Sequence, residues 1–337
     1  MVERAVMAVL AVLAGWTMVA PAAANDTTAV LEAGGLVFTR QDNISMESED
    51  LFISEKEIRV DYVFRNDAET DLETVVAFPM PEIGGSLEFM GGIEDTEHDN
   101  FMGFSVLQDG KAIEPRLQQR ATVNGIDVTD DIVAAGVSLL PVSQAAATQI
   151  AKLPEQTQKD WETRGLILNV AYSSEGETAP PEYYPLWTLK SVFYWKTVFP
   201  AQRKVSVQHR YRPSVGGTVA MTFIQDGKPN DYFKEYQERY CLDDAFLKTA
   251  AKLEKEQNPD AGKFYYERWL SYILTTGANW NGPIERFKLT VDKGDSRNFI
   301  SFCGQGVKKT GPTTFEMVAT DFYPEKDLHF LLVVPSE

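Results

Sequence analysis

The chain has 337 residues, with 32 Lys plus Arg against 49 Asp plus Glu and a net charge of −17. So acidic a surface repels phosphate backbones and anionic lipid, which excludes nucleic acid as a partner and leaves cationic partners or divalent cations in play. Hydrophobic residues at 44% and aromatics at 11% suffice for a packed core in one large or two ordinary domains.

The first 24 residues read as a secretory leader. Arg4 supplies a small positive start, Ala5 to Ala20 is a largely apolar run, and Ala22-Ala23-Ala24 fits the small-x-small cleavage rule. The leader holds one Glu and one Arg, so its removal leaves the charge unchanged. No later run approaches the roughly 18 apolar residues of a membrane span. The expectation is a soluble periplasmic or secreted protein that begins at Asn25, without stable membrane insertion. No Cys lies near the cut, which excludes lipid attachment there.

Residues 25–125 read as the N-terminal β part. In "IRVDYVFRN", Ile58, Val60, Tyr62 and Phe64 share one face at period two. After the polar "NDAETD", Leu72, Thr74, Val76 and Phe78 alternate again, until Pro79 and Pro81 stop the ladder. These runs predict a hairpin at one corner of an antiparallel, half-solvated sheet. "GFSVLQDGKAI" adds a strand and a turn at Asp109-Gly110.

Residues 126–165 read as a helical insertion. Thr129 suits an N-cap, Pro141 stops the first helix, and Gly165 suits a C-terminal cap. Strands return over 166–225 in "GLILNVAYS", "KVSVQHRYRP" and "GTVAMTFI", interrupted by a Pro-rich loop at Ser173 to Pro185. Residues 226–274 read as a second helical segment. Phe246, Leu247, Ala250 and Leu253 form its stripe, and Phe264 to Leu274 is a candidate further helix. The C-terminal β part, 275–337, holds "RFKLTVDKG", "RNFISFCG", "TTFEMVATDF" and "LHFLLVV". The fold class is mainly β: an antiparallel β-sandwich in two β-lobes with two helical insertions.

Chemistry is sparse. No Walker A, zinc-protease, nucleophile-elbow or dinucleotide motif is present, so no catalytic residues are assigned. His209 and His329 lie on strand faces and read as structural. His98 differs, because it stands among Glu94, Asp95, Glu97 and Asp99, where carboxylates suit a hard cation such as calcium. A solvated acidic loop is the alternative, and no other cofactor is expected. Cys241 and Cys303, the two cysteines, suit a disulfide closing a loop of about 60 residues. In "LTTGANWNGPIERF", Asn279, Trp280 and Asn281 precede a Gly-Pro turn. They read either as a stacking site for sugar or peptide or as a core plug with capping amides. The aromatic "YYPLWTLKSVFYW" reads as core rather than groove.

Several blocks in order, among them "NDTTAVLEAGGLVFTR", "MESEDLFIS", "ETVVAFPMP", "VQHRYRPSVGG", "LTTGANWNGPI" and "FCGQGVKK", resemble a bacterial exported family, domain-of-unknown-function family 4424, over nearly the whole mature chain. The resemblance implies a periplasmic or secreted protein and carries over no site residues. The segment "VDYVFRNDAETDLETVVAFPMP" also resembles the opening of vault and inter-alpha-trypsin-inhibitor domains, which implies a sandwich used for adhesion. The functional expectation is a non-enzymatic binding or scaffolding protein whose partner is an envelope protein or a glycan. The alternatives are an envelope hydrolase acting on glycan or peptide, and a divalent-cation-binding protein.

Overall fold

The computed structural model describes residues 26–32, 35–85, 92–170, 173–174, 177–178 and 182–336. The leader, its cut after Ala24, and the strand position expected at Tyr172 lie outside the described residues. The N-terminal half supplies β1 (Thr27–Glu32), β2 (Gly35–Thr39), β3 (Ile44–Ile53), β4 (Ile58–Asn66) and β5 (Leu72–Pro79). Next come β6 (Ser105–Gln108), β7 (Lys111–Ile113), β8 (Arg116–Val123), β9 (Thr188–Phe199) and β10 (Lys204–Tyr211). The C-terminal part supplies β11 (Gly216–Gly217), β12 (Tyr265–Tyr272), β13 (Ile284–Asp292), β14 (Phe299–Phe302), β15 (Thr314–Phe322) and β16 (Leu328–Pro335).

Sheet I runs β15-β13-β3-β4-β10-β6-β7, with Lys308–Lys309 on the β15 edge. Sheet II runs β8-β9-β5-β1-β2, with Ile126–Asp127 beyond β8 and Ile83–Gly84 also on β9. Sheet III runs β11-β12-β16-β14. Among the described strand pairs all are antiparallel except one: β3 and β13 run parallel, from Arg286 opposite Ser48 to Val291 opposite Ile53, and a parallel bridge of Ser45 to Asn281 lies beyond its end. The alternation in β4 is strict, with every second residue buried. Its inward side chains meet those of β5, β9 and β10 in a single core that also takes Leu270, Tyr272, Phe330 and Leu332 from sheet III.

The expected hairpin of Ile58 to Pro79 is not one. β4 pairs with β3 and β10 in sheet I, whereas β5 pairs with β1 and β9 in sheet II. The loop between them is an arch that crosses from one layer to the other. Asn66 shapes it, its fully buried side chain donating to the carbonyls of Thr70 and Phe199 and accepting from the amide of Ala68. The Asp109-Gly110 turn does close a hairpin, β6 to β7, with both residues at positive φ (48° and 75°).

The helices are α1 (Thr129–Ala134), α2 (Gln144–Ala151), α3 (Glu155–Thr163), α4 (Phe233–Tyr240) and α5 (Asp244–Lys255). Thr129 is the first residue of α1 rather than its cap, and its hydroxyl accepts from the Ala121 amide instead. Ser143 and Asp243 cap α2 and α5 through their side-chain oxygens. Gly165, at φ 72°, ends α3, and the Leu166 amide reaches back to the Trp161 carbonyl. The first three helices bury Ile132, Ile150 and Trp161 against Trp187 and β8. The other two pack on the outer face of sheet III.

Three further expectations are corrected. Phe264 to Leu274 is not a helix, because Tyr265–Tyr272 pairs along its whole length with β16 and aromatic residues suit a sheet buried on both faces. "GTVAMTFI" contributes only Gly217 to β11 and Ile224 to a small hairpin, Ile224–Gln225 with Lys228–Pro229. The Pro-rich loop ends in a strand, Glu182–Pro185, paired with Ile167–Val170.

Candidate functional site

A cleft of about 420 Å³ opens where sheet I meets sheet III. Strand β10 ends at the buried Tyr211, and the chain then turns outward through Arg212-Pro213-Ser214. Val215 meets Gly92, whose amide donates to its carbonyl at 2.7 Å. The next two residues form β11 against Trp269 and Arg268 of β12. Glycine is required there, since a Cβ on Gly217 would lie 2.6 Å from the Glu267 carbonyl oxygen. Glu55 and Lys56, in the β3–β4 turn, and the buried Phe101 and Met102 complete the walls.

The cleft carries two guanidinium–carboxylate pairs. Arg212 donates to Glu94 at 2.7 Å, and Arg268 donates to Glu55 at 3.1 Å. Burial is the largest single effect on Arg268 and lowers its pKa, but the Glu55 carboxylate and the Tyr266 side chain together raise it on balance. Arg268 also lies 5.8 Å from the Tyr266 ring centroid. The site therefore offers opposite charges side by side over an apolar floor.

The residues singled out from sequence are dispersed. Glu94 enters the cleft wall through Arg212. Asp95 turns away to His98, whose Nδ1 is 2.9 Å from its carboxylate, and also accepts from the Glu97 and His98 amides. These hydrogen bonds lower the Asp95 pKa, the Glu97 amide contributing most. Among the described residues no three His, Cys, Asp or Glu side chains converge as a cation site, so Glu94, Asp95, Glu97, His98 and Asp99 are not assembled into one.

Trp280 is 1% exposed and cannot stack a ligand. Its ring sits 4.5 Å from Phe64 and 6.2 Å from Phe199, centroid to centroid, and its Nε1 donates to the Asp26 carbonyl at 2.9 Å. Asn279 donates to the Thr27 hydroxyl, and the Asn281 amide to the Ile44 carbonyl. The Asn-Trp-Asn segment thus clasps the start of β1 and β3, the plug-and-cap alternative. Cys241 and Cys303 are bonded, with Cα atoms 5.1 Å apart, joining the end of α4 to the strand end of β14.

His209 is fully buried among the rings of Tyr62, Phe78, Phe104 and Trp195. Neither ring nitrogen makes a hydrogen bond among the described residues, and the nearest carboxylate oxygen, of Asp26, is 3.6 Å away. Burial lowers its pKa to about 3. A Ser–His pair does occur: Ser271 Oγ and His329 Nδ1 are 2.8 Å apart across β12 and β16, but neither lines the cleft.

Sequence reading missed Arg212, Arg268 and Glu55. The available signal was Gly216-Gly217 directly after an alternating strand ending in Arg-Pro, which marks a close backbone approach rather than a turn.

The model of one family, a domain of unknown function named DUF4424, matches residues 24–331. The chain belongs to this family. No curated protein matches the DUF4424 chain. Among solved structures, a candidate nutrient binding protein from Legionella pneumophila is 17% identical, with a TM-score of 0.44, over 93% of this chain and 72% of its own. An M1 zinc metallopeptidase from Deinococcus radiodurans, bound to a Tyr-Ser-Ala substrate, is 9% identical with a TM-score of 0.26, over 88% and 43%. Among the described residues of the DUF4424 chain, no helix is long and apolar enough to cross a membrane.

Proposed function

We propose that this is an exported, non-enzymatic binding protein that holds a short polar chain, a peptide before a glycan, in the cleft between sheets I and III. The observation that carries the reading is the two exchangeable ion pairs, Arg212–Glu94 and Arg268–Glu55, beside an apolar floor. A ligand carboxylate replaces glutamate on a guanidinium, while a ligand ammonium takes the released glutamate, so charge stays balanced throughout. Phe101 and Met102 then cover the ligand's apolar part. A peptide has both charges and a backbone that can follow the edge at Val215; a neutral glycan uses neither pair. The Cys241–Cys303 disulfide supports an oxidising compartment, in keeping with the leader.

Calorimetry of the oxidised mature protein with short peptides and cell-wall oligosaccharides tests this. Saturable peptide binding that Arg212→Ala and Arg268→Ala each weaken about tenfold, the loss of one charge-assisted contact, is expected. Peptide affinity unchanged in both variants would overturn the site, and saturable oligosaccharide binding without peptide binding would overturn the ligand class.

A further inference from the structure

The opposite face of β12 holds a second pocket, of about 380 Å³. Tyr232, Tyr236 and Tyr240 recur every four residues along α4 and its N-cap, and so share one helix face. Trp269 of β12 faces them across the pocket, with Glu235 and Arg239 at its sides. The Tyr236 and Tyr240 rings stand 5.4 Å apart at 55°, a corner rather than a stack.

Two of the four rings are pinned by their polar tips. Tyr236 Oη donates to Glu267 Oε2 at 2.6 Å, and Trp269 Nε1 donates to the same oxygen at 3.0 Å. The other oxygen of this fully buried carboxylate accepts from the amide and hydroxyl of Thr222. With these tips committed, what the two side chains offer a ligand is π surface, held rigid in advance. Tyr232, 61% exposed, stands free at the mouth.

A methylated ammonium suits such a surface. It has no N–H to satisfy, so ring faces serve it better than oxygen acceptors do. The guanidinium of Arg239, 5.5 Å from the Tyr240 ring, engages in none of the described ion pairs. It would repel a bare cation and attract an attached anion. We propose that this pocket binds a zwitterion in which a quaternary ammonium, held by Tyr232, Tyr236 and Trp269 with the buried Tyr240 closing the wall behind them, is joined to a carboxylate or phosphate ester held by Arg239. A free solute and a lipid headgroup share that chemistry. The proposal is independent of the peptide cleft.

Calorimetry of the oxidised mature chain with phosphocholine tests it, alongside sedimentation with phosphatidylcholine and phosphatidylglycerol vesicles. The expected result is saturable phosphocholine binding, weakened about tenfold in Tyr232→Ala, the loss of one desolvated cation–π contact, and restored in Tyr232→Phe. Arg239→Gln should weaken phosphocholine by a similar factor yet leave tetramethylammonium binding intact or improved. Phosphoethanolamine, lacking the methyl groups, should bind more weakly than phosphocholine. Co-sedimentation with phosphatidylcholine alone assigns the ligand to lipid, and binding of soluble phosphocholine without vesicle binding assigns it to a free solute. No binding of either, equal affinity for phosphoethanolamine, or an unaffected Tyr232→Ala variant would overturn it.

Discussion

Replacing Trp280 with Ala removes a buried indole from between Phe64 and Phe199 and releases the Asp26 carbonyl. A loss of about 3–5 kcal/mol in urea unfolding is expected, the range for deleting a large buried ring. A ligand-stacking tryptophan would instead leave stability nearly unchanged. His209 makes a second test. Its pKa is near 6.5 when unfolded and about 3 in the core, because burial disfavours the cation. As pH falls below about 6.5 the unfolded chain takes up this proton first, so the histidine's contribution is complete above 6.5 and is lost as pH falls toward 3. Asp26 works in the opposite sense: burial, then the neighbouring Glu49, raises its pKa, so its contribution is lost as pH rises above its unfolded value. In His209→Met, the fall of the urea midpoint between pH 7 and pH 4.5 should therefore be smaller than in the parent. An equal fall would show that His209 does not set the acid limit.

At the scale of elements, strand existence was far more legible than strand partnership. The alternation in Ile58 to Phe64 fixes which face is buried, and β4 obeys it at every position. It says nothing of which strand completes the ladder, so an arch reads like a hairpin until Asn66 is seen turning the chain between layers. The end of α3 is local chemistry, which is why Gly165 was legible from its own neighbourhood; Thr129 and Pro141 were not, since α1 has Val128 at its cap and ends at Ala134, well before the proline. Tyr265–Tyr272 was not, because its strand character comes from β16, more than 50 residues later. Two elements can be tested directly. Gly217→Ala should detach β11, since the new methyl meets backbone rather than a mobile side chain; peptide affinity would fall while the core, read by far-ultraviolet dichroism, persists. Reducing Cys241–Cys303 should lower stability by up to about 4 kcal/mol on the loop-entropy account. It should also loosen α4 against sheet III, seen as faster amide exchange in Phe233–Tyr240.

At the scale of the molecule, both candidate sites sit on sheet III, and neither could be assembled from spacing. Arg212 and Arg268 are 56 positions apart in the chain, and Glu55 lies farther still; only the end of β10, β12 and the β3–β4 turn bring them to one cleft. The aromatic pocket was half visible, because Tyr232, Tyr236 and Tyr240 are periodic in the sequence, whereas Trp269 joins them only once its segment is a strand. The acidic loop shows the reverse: neighbours in sequence, Glu94 and Asp95 point to different partners in space.

The parallel pairing of β3 with β13 has a consequence for how the molecule comes into being. β3 occupies the interior of sheet I, yet its partner begins at Ile284, some 230 residues downstream. An emerging N-terminal half has an open, hydrophobic strand edge and no native means of closing it until most of the chain has been delivered. Assembly must wait on contacts of long sequence separation, which makes folding slow and favours a chain kept extended until it is complete. A fragment ending at residue 280 should therefore aggregate rather than fold, as light scattering would show, whereas adding a peptide spanning Ile284–Phe322 in trans should rescue part of its solubility.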